Sequence, residues 1–395
     1  MIVTARVHTK GDRMRGHLKY VVAQVVIVIG MTPLPGQSQH RSQFELLPKI
    51  VFSSNRQHPA CTVFNTALGL FLMDPDGTNV RQLTDTEECT HSDFFAALSP
   101  DGKKIVFDST RQSANVSPLV SRLFLLEADG AELTFLTAGS AAAWSDDSKH
   151  VAFIASASYY ASSGLTILTP IRNQPGAPTT DSDIFVANVD DVMAGTAVPK
   201  NITNSPYMID EDADWSSDGA KIVFTSDPVS DWRGVPLPGN PFNYPTNEIF
   251  LINPDGTGVT QLTFNSYEER APAWSPDASR IAFLGRVGTR GGNTFEICVM
   301  NADGNNQVQL TDNALFEGTM TWSPDGRRII FQSPGGANPT LLYAVEADTT
   351  CDTSKPFGSS CNCSRGVGEA CVTNLTSDGI SLFPRLGQLR VHVRN

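Results

Sequence analysis

Four carboxylates recur at one place in a repeating pattern. Asp93, Asp210, Glu269 and Glu317 each stand five residues before a bulky apolar residue, namely Leu98, Trp215, Trp274 and Trp322. In two further copies of the pattern the equivalent positions hold Gly139 and Ser381. Acids set by near-symmetry around one axis would build a negative funnel, able to attract a cation or a basic peptide segment. The structural alternative is that each acid caps backbone N–H groups of its neighbouring repeat. Glu211, Asp212, Asp214 and Glu268 add charge nearby, and Arg270 is an internal partner for them. His91 and Asp93 form the single His–acid pair close to this predicted mouth.

The elements that must position these acids are hairpins. Trp322-Ser323-Pro324-Asp325-Gly326 runs into Ile329 and Phe331. Pro presets φ, and Gly accepts positive φ, so Pro-Asp-Gly reads as a tight turn. The flanks alternate with period two, as in two strands meeting at that turn. Copies occur at Leu98, Trp144, Trp215 and Trp274, about 46 to 71 residues apart, the spacing of one propeller blade with loop insertions. A second hairpin follows each first one, as in Ile249 to Thr263, Phe71 to Thr84, Leu123 to Thr137, Ile297 to Thr311 and Leu342 to Thr376. A looser copy runs from Ile184 to Thr203. Each repeat is therefore four short strands without helical periodicity. One such sheet cannot bury both faces, but several packed around an axis can.

The second hairpin occurs six times and the first five times complete. Ile50-Val51-Phe52 lacks an inner strand before it, whereas Ser381-Leu382-Phe383-Pro384-Arg385-Leu386 matches the approach to Trp274. The expectation is an all-β, six-bladed propeller of four-stranded blades, closed by that C-terminal strand completing blade 1. The Trp-Ser-Pro-Asp-Gly-x-x-Ile-x-Phe hairpin, with the x-Asp-Gly…Leu-Thr hairpin, resembles the PD40 or TolB-like propeller repeat over about residues 49–387. No Trp-Asp pair ends a repeat, so the WD40 type is not matched. The resemblance implies a TolB-like propeller without the α/β domain that precedes the propeller in TolB.

Residues 1–38 read as a signal peptide. Basic residues to Lys19 precede the apolar run Tyr20–Met31, which is short for a membrane span and suits a leader core. An uncleaved anchor is the alternative. Residues 39–48 form a short lead-in and 388–395 a tail. The formal net charge of −12 argues against nucleic-acid backbone binding. Cysteine usage agrees with export. Cys351, Cys361, Cys363 and Cys371 crowd one insertion and read as two disulfides, since the spacing lacks paired CxxC knuckles. Cys61 and Cys89 fall in loops of one face and can pair. Cys298 aligns with Phe71, Phe124, Phe185, Phe250 and Tyr343 and reads as a core thiol.

Two insertions, Tyr159 to Thr180 and Pro228 to Thr246, rise on the funnel face. They carry Tyr159, Tyr160, Trp232, Phe242 and Tyr244, which either stack on a ligand or pin the loops. Asp74-Pro75-Asp76-Gly77 lacks the later ligands of a calcium loop and reads as a turn. No Gly-x-Ser-x-Gly elbow is present. The expectation is an exported, monomeric propeller that binds a protein, peptide or envelope component through its funnel face, with no cofactor and no metal. The alternative is a propeller enzyme, a metal-dependent lyase or hydrolase acting on a polysaccharide or small ester, with His91, Asp93 and the loop aromatics at its site.

Overall fold

The structure, a computed structural model, describes residues 26–27, 50–54, 68–73, 79–84, 91–111, 122–155, 182–205, 208–228, 247–265, 268–286, 295–311, 317, 320–323, 325–334, 340–347 and 372–374. The Ser-x-Asp hairpin forms the same turn five times. Ser99, Ser216, Ser275 and Ser323 each donate through Oγ to the Asp two residues on, at 2.7, 2.6, 2.6 and 2.6 Å. Ser145 does the same to Asp147. Each Asp Oδ1 then accepts an amide two residues further, as Asp277 does from Ser279 at 3.1 Å. Each Ser Oγ also accepts the amide five residues on, as Ser275 does from Arg280 at 2.9 Å. The motif therefore satisfies its own backbone and sets the strand register.

The described strands sort into six four-stranded sheets. The first holds β1 (Val26–Ile27), β2 (Ile50–Ser54), β3 (Gly69–Met73) and β4 (Arg81–Gln82), and the second β5 (Asp93–Leu98), β6 (Lys104–Ser109), β7 (Arg122–Glu127) and β8 (Leu133–Ala138). The third holds β9 (Ser140–Trp144), β10 (His150–Ala155), β11 (Asp183–Asn188) and β12 (Lys200–Asn201), and the fourth β13 (Met208–Trp215), β14 (Ile222–Pro228), β15 (Glu248–Ile252) and β16 (Thr260–Gln261). The fifth holds β17 (Glu269–Trp274), β18 (Arg280–Gly285), β19 (Glu296–Asn301) and β20 (Val308–Gln309), and the sixth β21 (Met320–Trp322), β22 (Arg328–Pro334), β23 (Thr340–Glu346) and β24 (Val372–Asn374). Each strand pairs antiparallel with its chain neighbour, the pattern of a meander.

Two features depart from the sequence expectation. The inner edge of β2 is taken by β1, with Val26 opposite Val51 and Ile27 opposite Ile50. The C-terminal segment 381–386, expected there, lies outside the described residues. Val and Ile suit a strand as well as the leader core that the sequence pattern suggests. A short helix, α1 (Val189–Met193), also interrupts the third sheet between β11 and β12. Asn188 caps it by accepting the Asp191 amide at 3.1 Å, and Asp190 and Asp191 stand in its first turn.

The core lies between the sheets. Phe107 stacks on Phe124, Phe153 on Phe185, Phe224 on Phe250 and Phe331 on Tyr343, with ring centroids 5.6 to 6.0 Å apart. In the fifth sheet the same register pairs Phe283 with Cys298. That cysteine is fully buried and free, as the alignment implied. Trp144, Trp215, Trp274 and Trp322 are all buried at the ends of their inner strands. Trp144 Nε1 donates to Ala97 O at 2.9 Å and Trp322 Nε1 to Ala273 O at 3.0 Å, each reaching the preceding sheet.

Candidate functional site

The inner strands carry a repeated irregularity that shapes the site. Register shifts fall after Phe94, Glu211 and Arg270, and between Ala152 and Ile154 opposite β9. At the bulges Phe95, Ala141, Asp212 and Ala271 all have positive φ, between 49° and 55°. A bulge withdraws an amide from the ladder, and that amide needs another acceptor. Carboxylates of the preceding sheet supply it. Asp108 Oδ1 accepts the Ala141 amide at 3.1 Å, and Asp212 Oδ2 accepts the Ala271 amide at 3.0 Å. Asp214 Oδ2 accepts the Trp274 amide at 2.9 Å.

The four recurring acids lie just before or at the start of these strands. Asp93, Glu269 and Glu317 are 0 % exposed and Asp210 1 %. Each is held within its own sheet junction. Ser109 Oγ donates to Asp93 at 2.6 Å, and Arg111 pairs with its other oxygen. Ser226 donates to Asp210 at 2.5 Å, and Ser205 donates to the second oxygen. Thr263 and Asn265 donate to Glu269, the latter at 2.7 Å. Thr311 Oγ1 and the Ile297 amide donate to Glu317 at 2.6 and 2.9 Å. Burial pushes Asp210 up to about 6 against the hydrogen bonds that it accepts. Burial, with the neighbouring Glu248 carboxyl adding to it, pushes Glu269 up to about 8. Glu248 itself is pushed to about 7 by burial.

Gly139 explains the gap in the series. A Cβ at this residue would lie 2.5 Å from Phe153 Cδ2 and 2.9 Å from Ile154 O, at a φ of +148°. A second ring of polar groups opens the third strands: Arg122, Asp183, Glu248 and Glu296 are all buried. Sequence reasoning passed over that ring, although each member directly precedes the aligned Leu-Phe or Ile-Phe, or in one case Ile-Cys, pair.

In the fourth and fifth sheets the residue after the recurring acid, Glu211 or Arg270, carries charge to the opposite face. Glu211 pairs across β13 and β14 with Thr225, and Ile209 with Asp227. The two-residue period puts Glu211, Thr225 and Asp227 on one face, away from Asp210 and Ser226. Glu268 lies immediately before β17. Arg270 and Arg286 both pair with Glu268, Arg286 at 2.9 Å. Both guanidinium groups also stand over the Phe295 ring, 5.5 and 6.0 Å from its centre. Burial and then Glu268 push Asp227 up to about 6. Glu211 is raised by burial, Asp212 and Asp227, with Arg270 opposing. The fourth–fifth junction thus gathers Glu211, Asp212, Asp227, Glu268, Arg270 and Arg286 at the foot of the 228–246 insertion.

His91 is half-buried, two residues ahead of Asp93. Among the described residues no group of three or more His, Cys, Asp or Glu side chains could hold a metal ion. Tyr159, Tyr160, Trp232, Phe242 and Tyr244 lie outside the described residues, as do Cys61, Cys89, Cys351, Cys361, Cys363, Cys371 and Asp74–Gly77. Asp255, in the equivalent turn, accepts the Thr257 amide at 2.9 Å and its hydroxyl at 2.6 Å, as a turn-former does. Among the described residues no helix is long and apolar enough to cross a membrane.

Comparison with known proteins fits this architecture. No protein-family model matches the chain. A segment of 99 residues is 34 % identical to dipeptidyl-peptidase 5 of Porphyromonas gingivalis, spanning 24 % of this chain and 13 % of that protein. The puromycin-hydrolysing peptidase of Mycobacterium tuberculosis superposes over 89 % of this chain and 45 % of its own, at 16 % identity and a TM-score of 0.52. TolB of Acinetobacter baumannii superposes over 71 % of this chain and 57 % of its own, at 19 % identity and a TM-score of 0.48. The fold is a β-propeller, built from the repeat hairpins described above.

Proposed function

We propose that this chain is a six-bladed propeller that binds a protein or peptide segment on the face where its inner strands begin, and does so without chemistry. The observation that carries this reading is the charged cluster of Glu211, Asp212, Asp227, Glu268, Arg270 and Arg286 between the fourth and fifth sheets. It sits where a long loop leaves a rigid scaffold, the usual place for binding residues. The buried acids Asp93, Asp210, Glu269 and Glu317 hold the junctions in shape beneath that face, and His91 flanks it. Six sheets of four strands support a closed ring. The cysteine-rich insertion supports export to the periplasm or medium, with Val26 and Ile27 retained beside β2 as in the uncleaved alternative. Aromatics of the two insertions, Tyr159, Tyr160, Trp232, Phe242 and Tyr244, complete the face.

Affinity capture from an extracytoplasmic fraction tests the reading. Capture is expected to fail with Glu211→Lys combined with Glu268→Lys, and with residues 228–246 deleted. Unchanged capture by both variants, with native thermal unfolding, overturns it.

A further inference from the structure

We propose that Asp227, flanked by Glu211 and Glu268, receives one cationic side chain, the guanidinium or ammonium group of an Arg or Lys in a bound peptide. The inference rests on the peptide-binding reading of this face and names what it recognises.

Asp227 is 8 % exposed, yet its Oδ1 has no hydrogen-bond partner among the described residues. The acids of the neighbouring junctions differ in this respect: Asp93, Asp210, Glu269 and Glu317 each accept at least two donors. A buried carboxylate oxygen without a donor is costly, and the cost disappears when a ligand supplies one. The repeat itself does not require an acid there. The equivalent residues of the other sheets are Asn55, Thr110, Ser156, Arg286 and Pro334.

Internal cations do not serve Asp227. Arg270 and Arg286 are both committed to Glu268 and to the Phe295 ring. Glu211, Asp227 and Glu268 therefore face one junction with two arginines whose ion pairs both go to Glu268. Burial first, and then the neighbouring carboxyl groups, raise the proton affinity of both Asp227 and Glu211. A ligand cation lowers it for both.

Calorimetric titration of the full chain with acetyl-Gly-Arg-Gly amide, its citrulline counterpart and spermidine tests the assignment. The arginine peptide is expected to bind saturably, and the neutral citrulline peptide roughly tenfold more weakly or worse. Asp227→Asn is expected to weaken the arginine peptide by about the same factor while raising the melting temperature, because it removes an uncompensated buried charge. Equal affinity for the citrulline peptide, or unchanged affinity in the Asp227→Asn variant, overturns the proposal. Tighter binding of spermidine than of the arginine peptide assigns the junction to free polyamines and overturns the peptide assignment. Should Asp227→Asn fail to fold, Glu211→Gln carries the same comparison. An inert arginine peptide alongside charge-dependent protein capture removes the cation pocket and leaves the binding face standing.

Discussion

The Thr311 hydroxyl donates to Glu317 at 2.6 Å, and the same carboxylate oxygen accepts the Ile297 amide at 2.9 Å. Thr311 follows the outer strand of the fifth sheet, and Glu317 precedes the inner strand of the sixth. The contact latches the chain where it passes from sheet to sheet. Thr263 and Glu269 repeat it one junction earlier. Glu317→Ala is expected to cost about 1–3 kcal/mol, since it strands a buried hydroxyl and loosens a buried amide. Glu317→Gln keeps the acceptor and is expected to cost less. Denaturant unfolding of the two variants checks the difference, and equal losses would sink the latch.

The same junctions make stability depend on pH. Glu269 is raised to about 8, Glu248 to about 7 and Asp210 to about 6, each first by burial. A folded state that holds protons more tightly than the unfolded chain loses stability as pH rises through those values. The melting temperature is therefore expected to fall between roughly pH 4 and pH 8, from the unfolded carboxyl values to the highest folded one. Glu269→Gln should flatten the upper part of that slope. Asp147 works in the other direction. Burial alone would raise it, but hydrogen bonds from Ser145, the Lys149 amide and His150 bring it down to about 2. Its contribution is present above its unfolded value and disappears on acidification toward 2. A melting temperature that rises from roughly pH 4 to pH 8 would contradict the buried-acid assignment.

Gly139 stands where four other repeats place an acid. Gly139→Ala forces Cβ into Phe153 and the Ile154 carbonyl. The expected loss is about 1–3 kcal/mol of backbone strain, together with displacement of the Phe153 ring. Installing the repeat's own acid, Gly139→Asp, should be worse than alanine. Thermal melts of both variants decide it, and a neutral Gly139→Asp would show that the third sheet tolerates the shared pattern.

Cys298 is buried in the fourth-to-sixth-sheet core. Burial, with Glu269, Glu317 and Glu296 nearby, pushes its thiol well above the usual range. Iodoacetamide should leave the Cys298 peptide unmodified in the native protein and label it on unfolding. Peptide-level mass spectrometry reads the result, and rapid native labelling would contradict the packing.

The hairpins were legible because their turns are written in residues with few conformational alternatives. Ser275, Pro276 and Asp277 announce a turn, and Ile281 and Phe283 announce the strand that follows it. The Trp positions and Cys298 followed from register alone. The N-terminal partner of β2 was not legible, because Val26 and Ile27 satisfy the leader pattern and the strand pattern equally. The recurrence of Asp93, Asp210, Glu269 and Glu317 was plain, but their partners were not. Thr311 stands six residues from Glu317, yet Ile297 stands twenty away, and only the folded junction brings the three together. Asp227 was missed because its neighbours belong to a different strand and a different sheet. Its signal was an acid at a repeat position that elsewhere holds Asn55, Thr110, Ser156, Arg286 and Pro334.

The bulged residues Ala141 and Ala271 carry a consequence for how the molecule comes apart. Their amides are sheltered by Asp108 and Asp212, carboxylates that belong to the sheet before. Peeling away the second sheet would leave the third with an orphaned donor at its centre, and loss of the fourth would do the same to the fifth. Deuterium should enter these two amides only when the sheet before each one opens, because its carboxylate cannot leave without exposing them.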